Sequence, residues 1–318
     1  MASLEEIVDG SALEFSLGFL LVAGLVFVAA RHGIVASIDE GDGNAVSGKT
    51  ARLAAELQRK SFHMIGGIAI CAVYHFGIKH GFLIPGNLSG GNREREGTLD
   101  GAVLFMFVTA VVWSIEVSRI IFPSLQTLYM SAFKDLVRAK EKTKAAGIAY
   151  FLPGALGAML AFPPGVAILG ILYLSAGDTA ASIGTALGNI PIGNTPRKVE
   201  GSVGCLVVSL ALGLALSLPL DVALVAAVTV TVAEVMAEIM QLDDNLVIPM
   251  MGGLGVHIGC NPPPYGRILL CLMIGLVIGV GLGAGVGALS SSKLSGKGGG
   301  VETGKEKGSE AQWVKSPN

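Results

Sequence analysis

The residues of this 318-residue chain that could do chemistry are few, and most of them are charged groups set in apolar sequence. Asp178 stands in Leu174-Ser175-Ala176-Gly177-Asp178-Thr179-Ala180-Ala181-Ser182. A carboxylate in so apolar a stretch is costly to keep ionised, so it points to a bound cation, a proton to be moved or a buried partner. The plainer alternative is a cap on a helix that restarts after a break at Gly177. Further on, Asp243-Asp244-Asn245 precede Leu246-Val247-Ile248-Pro249. Two adjacent carboxylates and an amide suit Mg2+ carrying phosphate, because a hard cation takes oxygen ligands; Ca2+ shares that chemistry. The same triplet also makes a good helix cap or turn. Glu234 and Glu238 lie one turn apart in apolar sequence and could pair with a buried Arg or Lys.

Cations to match these carboxylates occur in two places. Arg59, Lys60 and His63 fall together, and Arg59 and His63 share one helical face because they are four residues apart. They could hold phosphate or anionic lipid, or anchor a helix at the membrane edge. Arg197-Lys198 ahead of Glu200-Gly201-Ser202 forms a second short basic site.

The elements that must position these groups are membrane helices. Hydrophobic residues make up 52% of the chain and charged ones only 14%, whereas a soluble domain carries roughly a quarter charged residues. Apolar runs at 15–30, 64–84, 101–122, 145–162, 165–188, 201–220, 222–242 and 268–289 approach or reach the ~20 residues that span a hydrocarbon core. The first follows Glu5, Glu6 and Asp9 rather than a basic segment, so it reads as a retained span and not a cleaved signal. The tail from Ser290, rich in Gly, Ser, Lys and Glu, reads as disordered. The expected architecture is all-α: a polytopic transmembrane helical bundle of about seven or eight spans with one interfacial amphipathic helix. It divides into a first span and loop (1–57), a membrane-embedded domain (58–289) and a tail (290–318).

Orientation follows from Lys and Arg. Fourteen of them sit in the loops after spans one, three, five and seven; between spans the other side holds only Lys79, Arg93 and Arg95. The odd-numbered loops are therefore expected in the cytoplasm. The glycosylation sequon Asn87-Leu88-Ser89 then falls on the lumenal side. Leu125, Leu128, Tyr129, Phe133, Leu136 and Val137 recur at helical spacing among Lys134, Arg138, Lys140, Lys142 and Lys144. Such a segment should lie in the plane of the leaflet, lysines near lipid phosphates; an ordinary loop helix on the bundle is the alternative.

Other functions are excluded by composition or context. A net charge of -2 gives no footprint for nucleic acid. Cys71, Cys205, Cys260 and Cys271 lack C-x-x-C spacing and read as small buried hydrophobes. Gly43-Asn44-Ala45-Val46-Ser47-Gly48-Lys49-Thr50 fits the P-loop pattern, but the loop has no room for the sheet and the second, magnesium-binding strand that a P-loop needs. Gly275, Gly279, Gly283 and Gly287 repeat every fourth residue, the small-xxx-small pattern of packed membrane helices.

Taken in order, the clusters resemble the CTP-dependent lipid kinases, the family of diacylglycerol, dolichol and phytol kinases. The residues that carry the likeness are Arg59-Lys60-Ser61-Phe62-His63, Glu116-Val117-Ser118-Arg119, Asp178-Thr179-Ala180-Ala181, Lys198-Val199-Glu200-Gly201-Ser202 and Asp243-Asp244-Asn245 through Pro249. Among its members the chain is most similar to the short yeast-type CTP-dependent diacylglycerol kinases. The resemblance implies phosphoryl transfer from CTP to a lipid hydroxyl at the cytosolic face of the endoplasmic reticulum, or of the chloroplast envelope for a phytol kinase. It implies Asp178 as the catalytic residue and Mg2+ on Asp243 and Asp244. Arg59, Lys60, His63, Arg197, Lys198, Gly201 and Asn245 would bind nucleotide or phosphate. One departure is Thr185, where the family often carries Arg after the glycine. A phosphatidate cytidylyltransferase and an ion-coupled transporter using Asp178, Glu234 and Glu238 are the alternatives.

Overall fold

The computed structural model describes residues 11–14, 16–22, 24–25, 48–80, 99–133 and 144–261, and the regular elements among them are helical apart from one isolated bridge between Pro191 and Lys198. In chain order the helices are α1 (Ser11–Val22), α2 (Gly48–Lys79), α3 (Leu99–Ile121), α4 (Pro123–Ala132) and α5 (Gly147–Ala161). They continue with α6 (Pro164–Leu172), α7 (Asp178–Leu187), α8 (Val199–Ala215), α9 (Leu220–Ile239) and α10 (Asp244–Cys260). A π-helical turn, Tyr173–Gly177, joins α6 to α7 without a break. Proline opens α4 and α6, where its missing N–H leaves no donor unpaired.

Four stretches are long and apolar enough to cross a membrane: Glu56–Lys79, Val103–Ile121, Pro164–Leu187 and Leu220–Ile239. Their burial ranks them. The Pro164–Leu187 stretch is 89% buried and forms the axis of the bundle, whereas Val103–Ile121 is 17% buried and turns most of its apolar surface outward. The axis is flanked by α2, α5, α8 and α10, with α9 packed on α8 and α10 and α3 outside α5. In lipid the apolar outer surface needs no protein cover, so cohesion rests on close packing instead. A Cβ built on Gly252 would lie 3.2 Å from the Cα of Gly170 and 2.9 Å from the Tyr173 ring, so α10 can meet the axis only through glycine.

The helical class and the membrane-like spans agree with expectation, but two elements differ. α2 starts at Gly48 rather than near residue 64, so Arg59, Lys60 and His63 are inside a helix and not ahead of one. The end of the P-loop pattern, Gly48–Thr50, is the first turn of that same helix; residues 43–47 lie outside the described residues. More consequential is α10, which the apolar-run reading did not count as a helix. Asp243 caps it, accepting from the Asn245 backbone N–H, and Pro249 sits inside it. It runs antiparallel to α9: Gly255 abuts Ala226 and Thr229, and Gly259 abuts Val222. Its seventeen residues carry the chain about 25 Å away from Asp244; Arg267 lies outside the described residues.

The expected interfacial helix is represented by α4, whose residues are none of them buried. Leu128 is 65% exposed and Phe133 45%, so this helix is not packed into the bundle. Residues 134–143, the candidate span at 268–289 with its glycine repeat, and the tail from 290 lie outside the described residues.

Candidate functional site

Four separated pieces of sequence meet where α2, α7, α9 and the start of α10 come together. Asp178 is fully buried at the first position of α7, directly after the π turn. Such turns shift the register of a helix and recur at functional sites. Gly177 keeps helical dihedrals, so Asp178 does not cap a restarted helix. Its Oδ2 accepts from the Lys60 ammonium, which is 1% exposed and comes from α2.

Arg197 closes the cluster from the loop between α7 and α8. Its guanidinium reaches Glu234 at 2.5 Å, Asp244 at 2.9 Å, Glu238 at 3.6 Å and Asp178 at 4.0 Å. Burial works against its charge, yet Glu234, Asp178 and Asp244 outweigh that and make the guanidinium harder still to deprotonate. Glu234 and Glu238 do pair with an arginine, as their setting in apolar sequence suggested. Within this cluster four carboxylates face two cations, Lys60 and Arg197. Ionised throughout, it carries two uncompensated negative charges, a charge a single divalent cation would balance.

Arg59 and His63 share a face of α2, as expected, and unlike Lys60 they border open space. Both line a cavity of about 1030 Å³ bounded also by Phe151, Asp243, Asp244 and Asn245. Arg59 bonds to Glu56 at 2.6 Å. His63 packs edge-on against Phe151, centroids 4.8 Å apart, and its buried Nε2 has no hydrogen-bond partner. Asn245 donates through its backbone and its side-chain amide to Asp243 Oδ1, at 3.1 and 2.7 Å.

Lys198 and Gly201 stand apart from this constellation. Lys198 precedes α8 and its carbonyl receives the Gly201 and Ser202 N–H groups. Gly201 is buried at the crossing of α7 and α8: a Cβ there would lie 2.6 Å from the Ala181 carbonyl oxygen. Thr185, where an Arg was expected, faces the same crossing with its buried hydroxyl unpartnered. Glu116 and Arg119 form a buried pair on α3. Arg119 donates to the Lys144 carbonyl at 2.8 Å, Glu116 accepts from the Ala146 N–H at 2.9 Å, and together they fix the approach to α5. The pair thereby holds the cavity wall that begins at Lys144.

Among the described residues no group of three His, Cys, Asp or Glu side chains forms a ready metal cage. Mg2+ does not require one, since it is commonly held by one or two carboxylates plus substrate phosphates. The donor set fits such sharing. Asp243 and Asp244 are adjacent and both border the cavity, and the oxygens Asp178 Oδ1 and Glu234 Oε2 have no hydrogen-bond donor. Sequence inspection missed Glu234 as a member of the site. Its only signal was the cost of a carboxylate in an apolar helix. Compared with known families, curated proteins and solved structures, the chain matches none.

Proposed function

We propose that this chain is a membrane enzyme that moves the terminal phosphoryl group of CTP to the hydroxyl of a membrane lipid, converting diacylglycerol to phosphatidate. The observation that carries this reading is the meeting of Lys60, Asp178, Arg197, Glu234 and Asp244 around one guanidinium, beside a cavity that Asp243 and Asp244 also border. Phosphoryl transfer asks for positioning and for neutralised charge more than for covalent chemistry, and fixed cations beside carboxylates of metal-ligand type supply both. CTP as donor, in preference to ATP, rests on the motif resemblance alone. The excess of Lys and Arg in odd-numbered loops supports a site on the cytosolic side; seven or eight spans and the endoplasmic reticulum belong to the proposal through the apolar runs and the motif resemblance.

In this reading Arg59 meets the phosphates from α2, Lys60 holds Asp178 behind it, and Arg197 holds Asp244 and Glu234 in register from the opposite side. Asp243 and Asp244 would hold Mg2+. The ion supplies charge neutralisation between phosphates when bound. Asp178 has Oδ2 fixed by Lys60, and Oδ1 is the oxygen left to take up the acceptor's proton. The lipid oxygen bonds to the terminal phosphorus, the bond to the CDP oxygen breaks, and the hydroxyl proton leaves to a carboxylate of the cluster or to water.

Purified protein in mixed micelles, given labelled CTP or ATP with diacylglycerol, dolichol or phytol, tests this. Phosphatidate formed with CTP and not with ATP is the expected result. Phosphorylated dolichol or phytol would move the acceptor within the same reaction class. CDP-lipid with pyrophosphate would make it a cytidylyltransferase, and proton or sodium flux in liposomes without CTP consumption would make it a transporter.

A further inference from the structure

The cavity between α2 and α5 has two chemically different halves. Arg59, Asp243, Asp244 and Asn245 border one; Phe62, Gly66, Ile70 and Ile148 border the other. Phe62, Gly66 and Ile70 follow each other at four-residue steps and so form a stripe along α2. The middle of that stripe is open: Gly66 is exposed, and a Cβ built on it meets nothing within 4 Å. α2 packs on α6 and α7 while α5 packs on α3, α6 and α10, so the two helices flank the space and touch at the His63–Phe151 ring contact.

Two residues that line this cavity each carry a buried polar atom without a partner, Asn245 Oδ1 and His63 Nε2. Asn245 is 6% exposed, and its amide nitrogen is committed to Asp243, which identifies the carbonyl oxygen as the unpartnered end. A buried acceptor left without a donor is unfavourable. What satisfies it here must bring an O–H or N–H and also cover an apolar wall.

We propose that this cavity is the acceptor-alcohol site. The hydroxyl of the membrane lipid donates to Asn245 Oδ1 and accepts from a neutral His63 protonated at Nε2, and its hydrocarbon runs along Phe62, Gly66 and Ile70. The identity of the occupant as a lipid alcohol rests on the phosphoryl-transfer reading; its binding does not require transfer. Asn245 and His63 thereby become residues that position the acceptor rather than the nucleotide, and Gly66 becomes the residue that admits the chain.

The test uses the full-length protein in nanodiscs with two probes, a diazirine-bearing diacylglycerol and a diazirine-bearing isoprenoid alcohol, without CTP. Mass spectrometry should find the label within 62–70, competed by the corresponding unlabelled alcohol; which probe labels identifies the source of the hydroxyl. Gly66→Leu fills the open position on an exposed helix face. It should lower labelling at least tenfold and raise KM for the alcohol at least tenfold, with KM for CTP unchanged, and Gly66→Ala should fall between. Label found only on the outward face of α3, no competable label, or labelling undiminished in Gly66→Leu would overturn the proposal. Competed label at 62–70 in a protein that never phosphorylates the lipid would instead defeat the kinase reading and leave the site standing.

Discussion

At one end of the apolar stretch Glu56–Lys79 of α2, Lys60 bonds to Asp178 with His63 a turn further on; at the other, His75 and Lys79 bond to Glu14 of α1. A lysine, a histidine and a carboxylate make up both groups. The side chains of Lys60 and Asp178 are 2% and 0% exposed, those of Lys79 and Glu14 50% and 36%. A charge that water can reach loses little when its partner is removed. A charge enclosed by helices keeps its full dependence on that partner, because nothing else can solvate it. The same three residue types therefore make a surface fastening at one end and the centre of the candidate site at the other.

The largest expected effect is at the enclosed end. Asp178→Asn should lower CTP-dependent turnover by ~10²-fold or more if Asp178 takes the proton. Leaving Lys60 buried without its counter-charge should also cost about 3–5 kcal/mol of stability, read by thermal unfolding in detergent. Unchanged turnover would remove Asp178 from the mechanism. The double replacement Lys60→Met with Asp178→Leu sharpens the point: stability should return toward wild type, as apolar replacements of buried pairs often allow, while activity should not.

Next is Arg197→Lys. It keeps the charge but loses the fork that spans Glu234 and Asp244. Losing one charged hydrogen bond corresponds to about tenfold to a hundredfold in turnover, and a wild-type rate would show that the bridge is dispensable. Gly201→Ala should cost about 1–3 kcal/mol through overpacking at the α7–α8 crossing. Because Gly201 stands apart from the charged cluster, KM for CTP should hold; a selective rise in that KM at full stability would return Gly201 to the nucleotide. Smallest of all is Glu14→Gln, expected to leave melting temperature and turnover within error. Should it match Asp178→Asn in either measurement, burial is not what separates the two ends of this stretch of α2.

Much of this organisation is legible in the sequence, and the illegible parts have identifiable causes. Long apolar runs announced the spans, a lone carboxylate within one announced Asp178, and short basic clusters between runs announced Lys60 and Arg197. α10 escaped because what makes it a good neighbour makes it a poor apolar run. Gly252, Gly253 and Gly255 lower helix propensity, and Pro249 removes a backbone donor, yet those glycines let it approach Gly170, Phe162 and Thr229. Glu234 was visible beside Glu238 as a carboxylate that could meet a buried cation, but its place in the site waits on Arg197, which arrives from thirty-seven residues earlier.

Composition and period alone determined that the chain is helical, that it is built for a membrane, and that its few intramembrane charges are its chemically interesting residues, because the cost of a charge in hydrocarbon is a local property. Which of those charges share a site, which cation sits between which carboxylates, and that Gly201 belongs to a helix crossing were decided only by tertiary structure. Electrostatic pairing depends on distances of a few ångströms between elements far apart in the chain, and no local pattern encodes them.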